Sequence, residues 1–167
     1  MLPLLLPAVL ALGPTPAAVL HAWDEQRSAA WADGDVAELR SLYAPGSRAG
    51  RADAAMLRAW RARGLRVEGL RSQLLAVDVR RRTAARLVLE VTDRMTGGVA
   101  VPGGWSLPGD LPSRHVVTLR RVAGEWRVAS VSATPATPDR PGGPRGPSGP
   151  GTGSRPPPAP PGGRFAA

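Results

Sequence analysis

The feature that most constrains the fold is a change of hydrophobic period at Gly64. Before Gly64, apolar residues recur every three or four positions, which predicts amphipathic helices over residues 16–33, 36–43 and 53–63. After Gly64, apolar and polar residues alternate, most cleanly over residues 86–94, which is the pattern of a strand. This order predicts an α+β fold: three N-terminal helices packed on a curved antiparallel sheet of four to five strands.

Several short signals set the expected ends of these elements. Asp35 follows Gly34 and is a natural N-cap of the second helix, and Gly64 stands where a C′ glycine ends the third. Asp53, near the start of the third helix, is expected to cap it or to complement its dipole. The expected strands and turns are a strand in residues 67–79, a turn at 80–82, a strand at 86–94, a turn at Gly97-Gly98, a short strand at 99–101, a loop at 103–112, and strands at 115–122 and 125–131 joined by a tight turn at Ala123-Gly124.

Composition divides the chain into three parts, namely residues 1–16, 17–133 and 134–167. The last part holds 11 of the 19 prolines and 8 of the 20 glycines, with Phe165 as its one large apolar residue. A segment of this kind buries too little surface to offset the entropy of ordering it, so it is predicted to be a disordered tail. The middle part is long enough for one modest core.

The first part is an apolar leader. Residues 1–12 are too few to span a bilayer as a helix, but their length suits the apolar region of a secretory signal. A positively charged start is missing, so the leader is interpreted as a degenerate or truncated signal, with an apolar strap packed on the domain as the alternative. The expected location is the cell envelope or exterior, and the cytoplasm is the alternative.

The net charge of +9 suggests nucleic-acid binding at first sight. All 22 basic residues are arginine, however, and in residues 17–133 the 18 arginines are interleaved with 12 acids. A solvated surface of arginine-biased composition explains this better, so nucleic acid is a disfavoured partner. The chain has no cysteine, which excludes disulfides, thiolate metal sites and a thiol nucleophile.

Two blocks of sequence resemble nuclear-transport-factor-two-like domains, including the SnoaL-like ones. The first block runs from Ala22 to Tyr43 and includes Ala29-Ala30-Trp31-Ala32-Asp33-Gly34-Asp35, which is similar to the first two helices of that superfamily. The second, Val116 to Val131 with Gly124-Glu125-Trp126-Arg127-Val128, is similar to its last hairpin. The resemblance implies a cone, in which a bent sheet wraps around helices and leaves a pocket at the wide end.

The superfamily contains enzymes and non-catalytic accessory domains, and its enzymes generally place a carboxylate or a His–Asp pair inside the cone. Asp93 is the best candidate for an acid/base carboxylate, because it shares a strand face with Leu87, Leu89 and Val91. The alternative is that Asp93 ends its strand and pairs with Arg94 or another arginine. His115 is expected at a strand edge and His21 on a helix surface.

The aromatic residues are candidates for the lining of a ligand pocket, although large aromatics at regular spacing more often form plain core. Together with His115, the candidate pocket residues are Trp23, Trp31, Tyr43, Trp60 and Trp126. Trp105, in a Gly/Pro-rich stretch, is expected to be a lid or an exposed contact residue. No metal-binding spacing and no cofactor fingerprint is present in the sequence.

Three functions are therefore carried forward. The favoured one is a non-catalytic binding or accessory module, whose partner is a small apolar ligand or a protein, a homodimer through the sheet included. The second is a small-molecule isomerase, dehydratase or cyclase that uses Asp93, with Tyr43 or His115 as its partner. The third is a binder of an anionic polymer through arginine side chains.

Overall fold

The computed structural model describes residues 13–134. The predicted leader, residues 1–16, and the predicted tail, residues 134–167, lie almost wholly outside the described residues. The helices are α1 (Pro16–Asp33), α2 (Val36–Ser41) and α3 (Arg48–Ala62). The strands are β1 (Arg66–Arg82), β2 (Arg86–Val101), β3 (Trp105–Leu107), β4 (Ser113–Val122) and β5 (Glu125–Ala133).

Side chains cap the N-terminus of each helix. Thr15 and Asp35 accept hydrogen bonds from backbone N–H groups in the first turns of α1 and α2, as predicted for Asp35. Gly34 ends α1 in the left-handed conformation, at φ 68°. The third helix begins five residues earlier than expected: Ser47 is its N-cap, and Asp53 is a buried interior residue rather than a cap. Ser47 follows Pro45-Gly46, a pair typical of a loop, and its capping role is therefore not evident from the sequence.

The sheet is antiparallel throughout, in the order β1-β2-β4-β5, and β3 pairs with the end of β2. The register of β1 against β2 shifts at several points, and that of β4 against β5 shifts once, after Thr118. Such bulges bend a strand and increase its twist. The predicted fold class, three helices on one antiparallel sheet, is confirmed.

Three predicted breaks in the sheet were wrong. Arg80-Arg81-Arg82 is not a turn but the end of β1, and the turn follows at residues 83–85. Gly97-Gly98 is not a turn either, because β2 runs through both glycines while they pair with β1 and β3. The predicted loop at 103–112 contains β3. The hairpin at Ala123-Gly124 is confirmed, with both residues at positive φ.

The hydrophobic core lies between the helices and one face of the sheet, called the inner face below. The inner face is formed by buried residues of β2, β4 and β5: Leu87, Leu89, Val91, Val117, Leu119 and Val128. Helix α1 packs against β1, and α3 packs against β5. Leu39 of α2 and Leu57 of α3 complete the core from the helical side. The opposite face of the sheet is called the outer face.

Candidate functional site

A cluster of hydrogen-bonded polar side chains lies in the core around Asp53 of α3 and is called the Asp53 cluster below. The Asp53 carboxylate accepts two hydrogen bonds from Arg27, at 2.7 Å from Nε and 2.9 Å from Nη2. It also accepts one from Trp31 Nε1 at 3.2 Å and one from the Tyr43 hydroxyl at 2.7 Å. All four residues are buried, and Asp53 is only 2% exposed. A carboxylate with four donors is saturated, so this cluster holds together α1, α3 and the end of α2.

The helical periods explain how these side chains meet. Arg27 and Trp31 are four residues apart on α1, so they lie one turn apart on the face that packs inward. Asp53 precedes Leu57 by one turn of α3 and therefore lies on the apolar stripe of that helix. Tyr43 follows α2 directly and makes close contact with Gly50, where a Cβ atom would come within 2.5 Å of the ring. Gly50 is required by that close approach.

Burial and charge act in opposite directions on the members of this cluster. Burial alone would lower the pKa of Arg27, but the adjacent Asp53 carboxylate outweighs it and holds the guanidinium charged. Burial raises the pKa of Tyr43, and the negative charge of Asp53 raises it further, so the phenol stays protonated and donates. Both shifts hold Arg27 and Tyr43 in their protonated forms, in which they donate to Asp53. The cluster is a structural ion pair and not an acid/base site.

A second polar group lies on the inner face of the sheet, toward one end of β2 and β4. Asp93 of β2 pairs with Ser113 in register, and His115 of β4 pairs with Val91, so both side chains project toward the helices. Asp93 Oδ2 lies 3.6 Å from His115 Nε2. The side chains are 21% and 18% exposed, so solvent reaches both of them. The structure thus brings the candidate carboxylate and the candidate histidine together, and a functional role for the pair stays a prediction.

Helix α1 faces this pair across the inner surface. Burial raises the pKa of Asp93; the charge of His115 opposes the rise, and the charge of Asp24 adds to it. Smaller opposing effects come from a hydrogen bond with Ser113 and from the charge of Arg27. Asp24 itself accepts a hydrogen bond from the Ser72 backbone N–H at 2.9 Å, which fixes it between α1 and β1. The Asp93 carboxyl group is therefore a weaker acid than usual, next to an imidazole, at an accessible position.

Two expectations about the histidines and Asp93 need correction. Asp93 does not end its strand, since β2 continues to Val101, and Arg94 donates instead to Gln73 on the other face. His115 is not an edge residue: β4 lies between β2 and β5, and His115 pairs with a residue of each. The position of His115 near the start of its strand, next to Arg114, had suggested an edge. His21 is exposed and paired with Glu25, as expected.

The structure divides the candidate pocket residues among three places. Trp31 and Tyr43 have their polar atoms bonded to Asp53, and Trp60 packs edge-on against Trp31 at 6.4 Å. Trp23 donates to the Leu42 carbonyl and packs edge-on against Tyr43, beside Asp24 of the second polar group. Within residues 13–134 these aromatic residues therefore lie in separate surroundings, and whether any of them contacts a ligand stays a prediction.

Trp126 lies at the other end of the sheet. The Arg121 guanidinium is 5.5 Å from the centre of its ring, in a groove of about 380 Å³ that Val19 and Leu87 also line. Leu87 and Asp93 are six residues apart on β2, so the groove is roughly 20 Å from the Asp93–His115 pair. Trp105 is 47% exposed on β3, and its role as a lid or a contact residue stays a prediction.

Within residues 13–134, no group of three or more histidine or acidic side chains is placed to hold a metal ion. In the same part of the chain, the helices are too short or too polar to cross a bilayer.

No family model matches this chain, and no curated protein matches its sequence. Solved structures similar to it include an NTF2-like protein from Cytophaga hutchinsonii, at 16% identity and TM-score 0.46, which covers 72% of this chain and 100% of that one. The intermembrane space region of the chloroplast protein ARC6 is similar at 16% identity and TM-score 0.49, over 70% of this chain and 92% of that one. Aln2 from a Streptomyces species is similar at 16% identity and TM-score 0.49, over 72% and 93%. NTF2-like proteins are thus among its structural neighbours, and no residue role is taken from them.

Proposed function

We propose that this chain is a small-molecule-binding module whose ligand occupies the inner face of the sheet beside Asp93 and His115. One observation carries the proposal: solvent reaches this pair, whereas the polar groups of the Asp53 cluster are buried and bonded to one another. Polar groups that converge at an opening between apolar walls are the usual makeup of a ligand site. The Asp53 cluster supports the wall of that site and does not contact the ligand.

The surroundings of the pair restrict the chemistry of the ligand. Asp93 and Asp24 contribute two carboxylates, and Leu74 and Met95 provide half-buried apolar surface beside Asp93. A carboxylate whose pKa is raised gains from a positive charge or a hydrogen-bond donor brought next to it. The ligand class that fits is a small molecule with an apolar or aromatic body and a basic nitrogen or a hydroxyl group.

A matched pair of probes tests this ligand class. Tryptamine and indole-3-acetate share one ring but carry opposite charges, and their binding can be followed by ¹⁵N–¹H NMR of the full chain. We expect tryptamine to shift the amide signals of β2 and β4 around Asp93 and His115, and indole-3-acetate to leave them unchanged. The variant D93N should weaken tryptamine about ten- to hundredfold, the usual worth of a hydrogen bond to a charged group. The control D78N, on the outer face of β1, should bind as the wild type does. Equal binding of both probes would refute the proposal.

A second candidate function is proton transfer, as in an isomerase, dehydratase or cyclase. It is favoured by the raised pKa of Asp93 and by the imidazole 3.6 Å away, since a carboxylate whose pKa is nearer to neutrality is a better general base. In this reaction Asp93 would take a proton from a carbon next to a carbonyl group, and His115 would hold the developing negative charge on the oxygen.

The exchange of α-protons of 2-tetralone in deuterated water, followed by ¹H NMR, measures this activity directly. An enzyme should accelerate the exchange, and D93N should lose about 10²–10⁴-fold of that acceleration, the typical contribution of a general base. H115Q should reduce it as well, while D78N should not. Exchange at the rate of buffer alone, together with tryptamine binding, would leave the binding module as the function.

Export to the cell envelope is part of the proposal, because an accessory module outside the cytoplasm accounts for the apolar leader. Fractionation of cells that express the full chain, with detection by an antibody to the folded domain, tests it. Recovery in the periplasm or medium with residues 1–12 removed is the expected result. Full-length chain found only in the cytoplasm would contradict it.

A further inference from the structure

Arginine side chains are concentrated on the outer face of the sheet. In the register of the strands, Arg86 lies directly opposite Arg120, which in turn lies directly opposite Arg127. Residues that face each other in this way project to the same side of a sheet. The register also places Arg81, Arg94 and Arg114 on this face. Arg80 reaches the same face through a hydrogen bond to Glu90. Seven arginines thus share one face of the described domain.

The acidic residues of this face do not balance the arginines. Glu90 is buried and bonds both Arg80 and Arg114, and Glu125 is 3.2 Å from Arg127. Asp78 lies opposite Glu90 and is the third acid on these rows. Seven arginines against three acids leave this face with an excess of four positive charges. Glu90 and Glu125 are already paired with arginines of the same face.

The row formed by Arg86, Arg120 and Arg127 costs stability. Like charges directly opposite one another on neighbouring strands repel, and the packing of the core requires none of the three. Arg86 and Arg120 are exposed, and Arg127 is half-buried. An anionic partner that covers the row would remove the repulsion. Charge complementarity therefore indicates the sign of the partner.

The shape of the arginine cluster indicates the kind of partner. Neighbouring strands are about 4.8 Å apart, so the arginines span roughly 15 Å from β1 to β5 and about 27 Å from Arg86 to Arg94. The charges spread in two dimensions, with hydroxyl groups such as Ser130 and Thr92 between them. Among the described residues of these rows there is no aromatic side chain, so the stacking surface of a single-strand nucleic-acid binder is missing.

We propose that the outer face of the sheet docks on a membrane surface rich in anionic phospholipid. A membrane surface presents phosphate groups in two dimensions, as the arginines are spread, whereas a linear polymer would follow one row at a time. Each arginine near such a surface strengthens the association, and salt weakens it. The ligand site beside Asp93 opens on the other face, so the two functions are independent.

Sedimentation of the full chain with vesicles tests the docking. Phosphatidylcholine vesicles with phosphatidylglycerol should carry the protein down at about 50 mM salt and release it at about 500 mM. Vesicles of phosphatidylcholine alone should not carry it down under either condition. The triple variant R86Q/R120Q/R127Q should partition about a hundredfold more weakly, and R120Q alone about fivefold.

A matched variant separates this face from the overall charge. R40Q/R58Q/R61Q removes the same three charges from exposed positions on α2 and α3 and should partition as the wild type does. An equal loss in both triple variants would overturn the proposal, as would a wild type that stays in solution with anionic vesicles at low salt. Binding to inorganic polyphosphate without partition onto vesicles would overturn it in favour of a linear polyanion. Circular dichroism of each variant confirms that the domain is folded, and R120Q keeps the test decisive if the triple variant is not.

Discussion

Asp53 and Asp93 are two carboxylates of the same domain in opposite situations. Asp53 is almost fully buried, and its carboxylate accepts four hydrogen bonds from three side chains. Asp93 is about one-fifth exposed; His115 at 3.6 Å is its ion-pair partner, and burial raises its pKa. The more deeply buried carboxylate is thus the better satisfied one. Burial by itself does not mark a functional acid; the balance between burial and available donors does.

The Asp53 cluster and the Asp93–His115 pair also differ in how accessible they are to a ligand. The Asp53 cluster joins three helices and has no polar capacity left for a ligand. The Asp93–His115 pair lies on two paired strands of the sheet, at a position that solvent reaches. A strand that holds an accessible carboxylate is the arrangement expected for the proposed binding or proton transfer. Variants that exchange these properties test the distinction.

Replacement of Asp53 should have the largest effect. D53N keeps the shape but removes the charge, so the buried Arg27 guanidinium loses its counterion. Breaking a buried pair in this way costs about 3–5 kcal/mol of unfolding free energy. Urea denaturation followed by tryptophan fluorescence measures it, and D33N, at the exposed end of α1, is the control. A loss below about 1 kcal/mol would show that the cluster is not the structural centre that its geometry indicates.

Loss of the Tyr43 hydroxyl should come next. Y43F removes one charge-assisted donor from Asp53 and leaves the other three, with an expected cost of about 1.5–3 kcal/mol. The same denaturation experiment applies. In the D53N background the cost of Y43F should be smaller, because the carboxylate that it serves is gone. Equal costs in the two backgrounds would mean that the Tyr43 hydroxyl stabilises the domain independently of the charge of Asp53.

Gly50 tests how tightly the cluster is packed. A methyl group on Gly50 would come within 2.5 Å of the Tyr43 ring, and the ring cannot move without leaving Asp53. G50A should therefore destabilise the domain by about 1–3 kcal/mol, the range for overpacking. In the background of Y43A the clash is absent, and G50A should become neutral or slightly stabilising, since alanine favours a helix. A cost that persists in Y43A would place the strain elsewhere.

The fold was largely predictable from the sequence. The change of period at Gly64 separated helices from strands, and the caps at Asp35 and Gly64 were local signals that the structure confirms. The mistakes are also local: Gly97-Gly98 looks like a turn, but the pairing of β2 with strands on both sides carries it through the glycines. At these two residues, pairing with the neighbouring strands outweighs the preference of glycine for turns.

The two polar groups were predicted to different degrees. Asp93 was chosen from strand alternation, and the structure places it on the inner face as that pattern required. Asp53 was missed, although a signal existed: it precedes Leu57 by one turn on the apolar stripe of α3, just as Arg27 interrupts the apolar stripe of α1. Two opposite charges on two apolar stripes indicate a buried pair. That they meet each other is a fact of helix packing, which periodicity within one helix does not contain.

The smallest effect, and the most specific, concerns Asp93. D93N should change stability at neutral pH by about 0.5 kcal/mol or less, in either direction, in contrast to D53N. The dependence on pH carries more information. Because the pKa of Asp93 is raised in the folded state, that state binds the proton more tightly than the unfolded chain does. Asp93 therefore makes the wild type lose stability relative to D93N as the pH rises from the ordinary aspartate pKa through the raised one, and the difference then stays constant.

Urea midpoints of wild type and D93N across this pH range measure the difference, and a second variant identifies its cause. The charge of His115 opposes the rise in the pKa of Asp93, so H115Q should raise that pKa further and extend the sloping region to higher pH. A flat difference between wild type and D93N would mean that Asp93 is solvated like a surface carboxylate. In that case Asp93 and Asp53 would differ only in burial. The proposal of a ligand site on the inner face of the sheet would then lose its support.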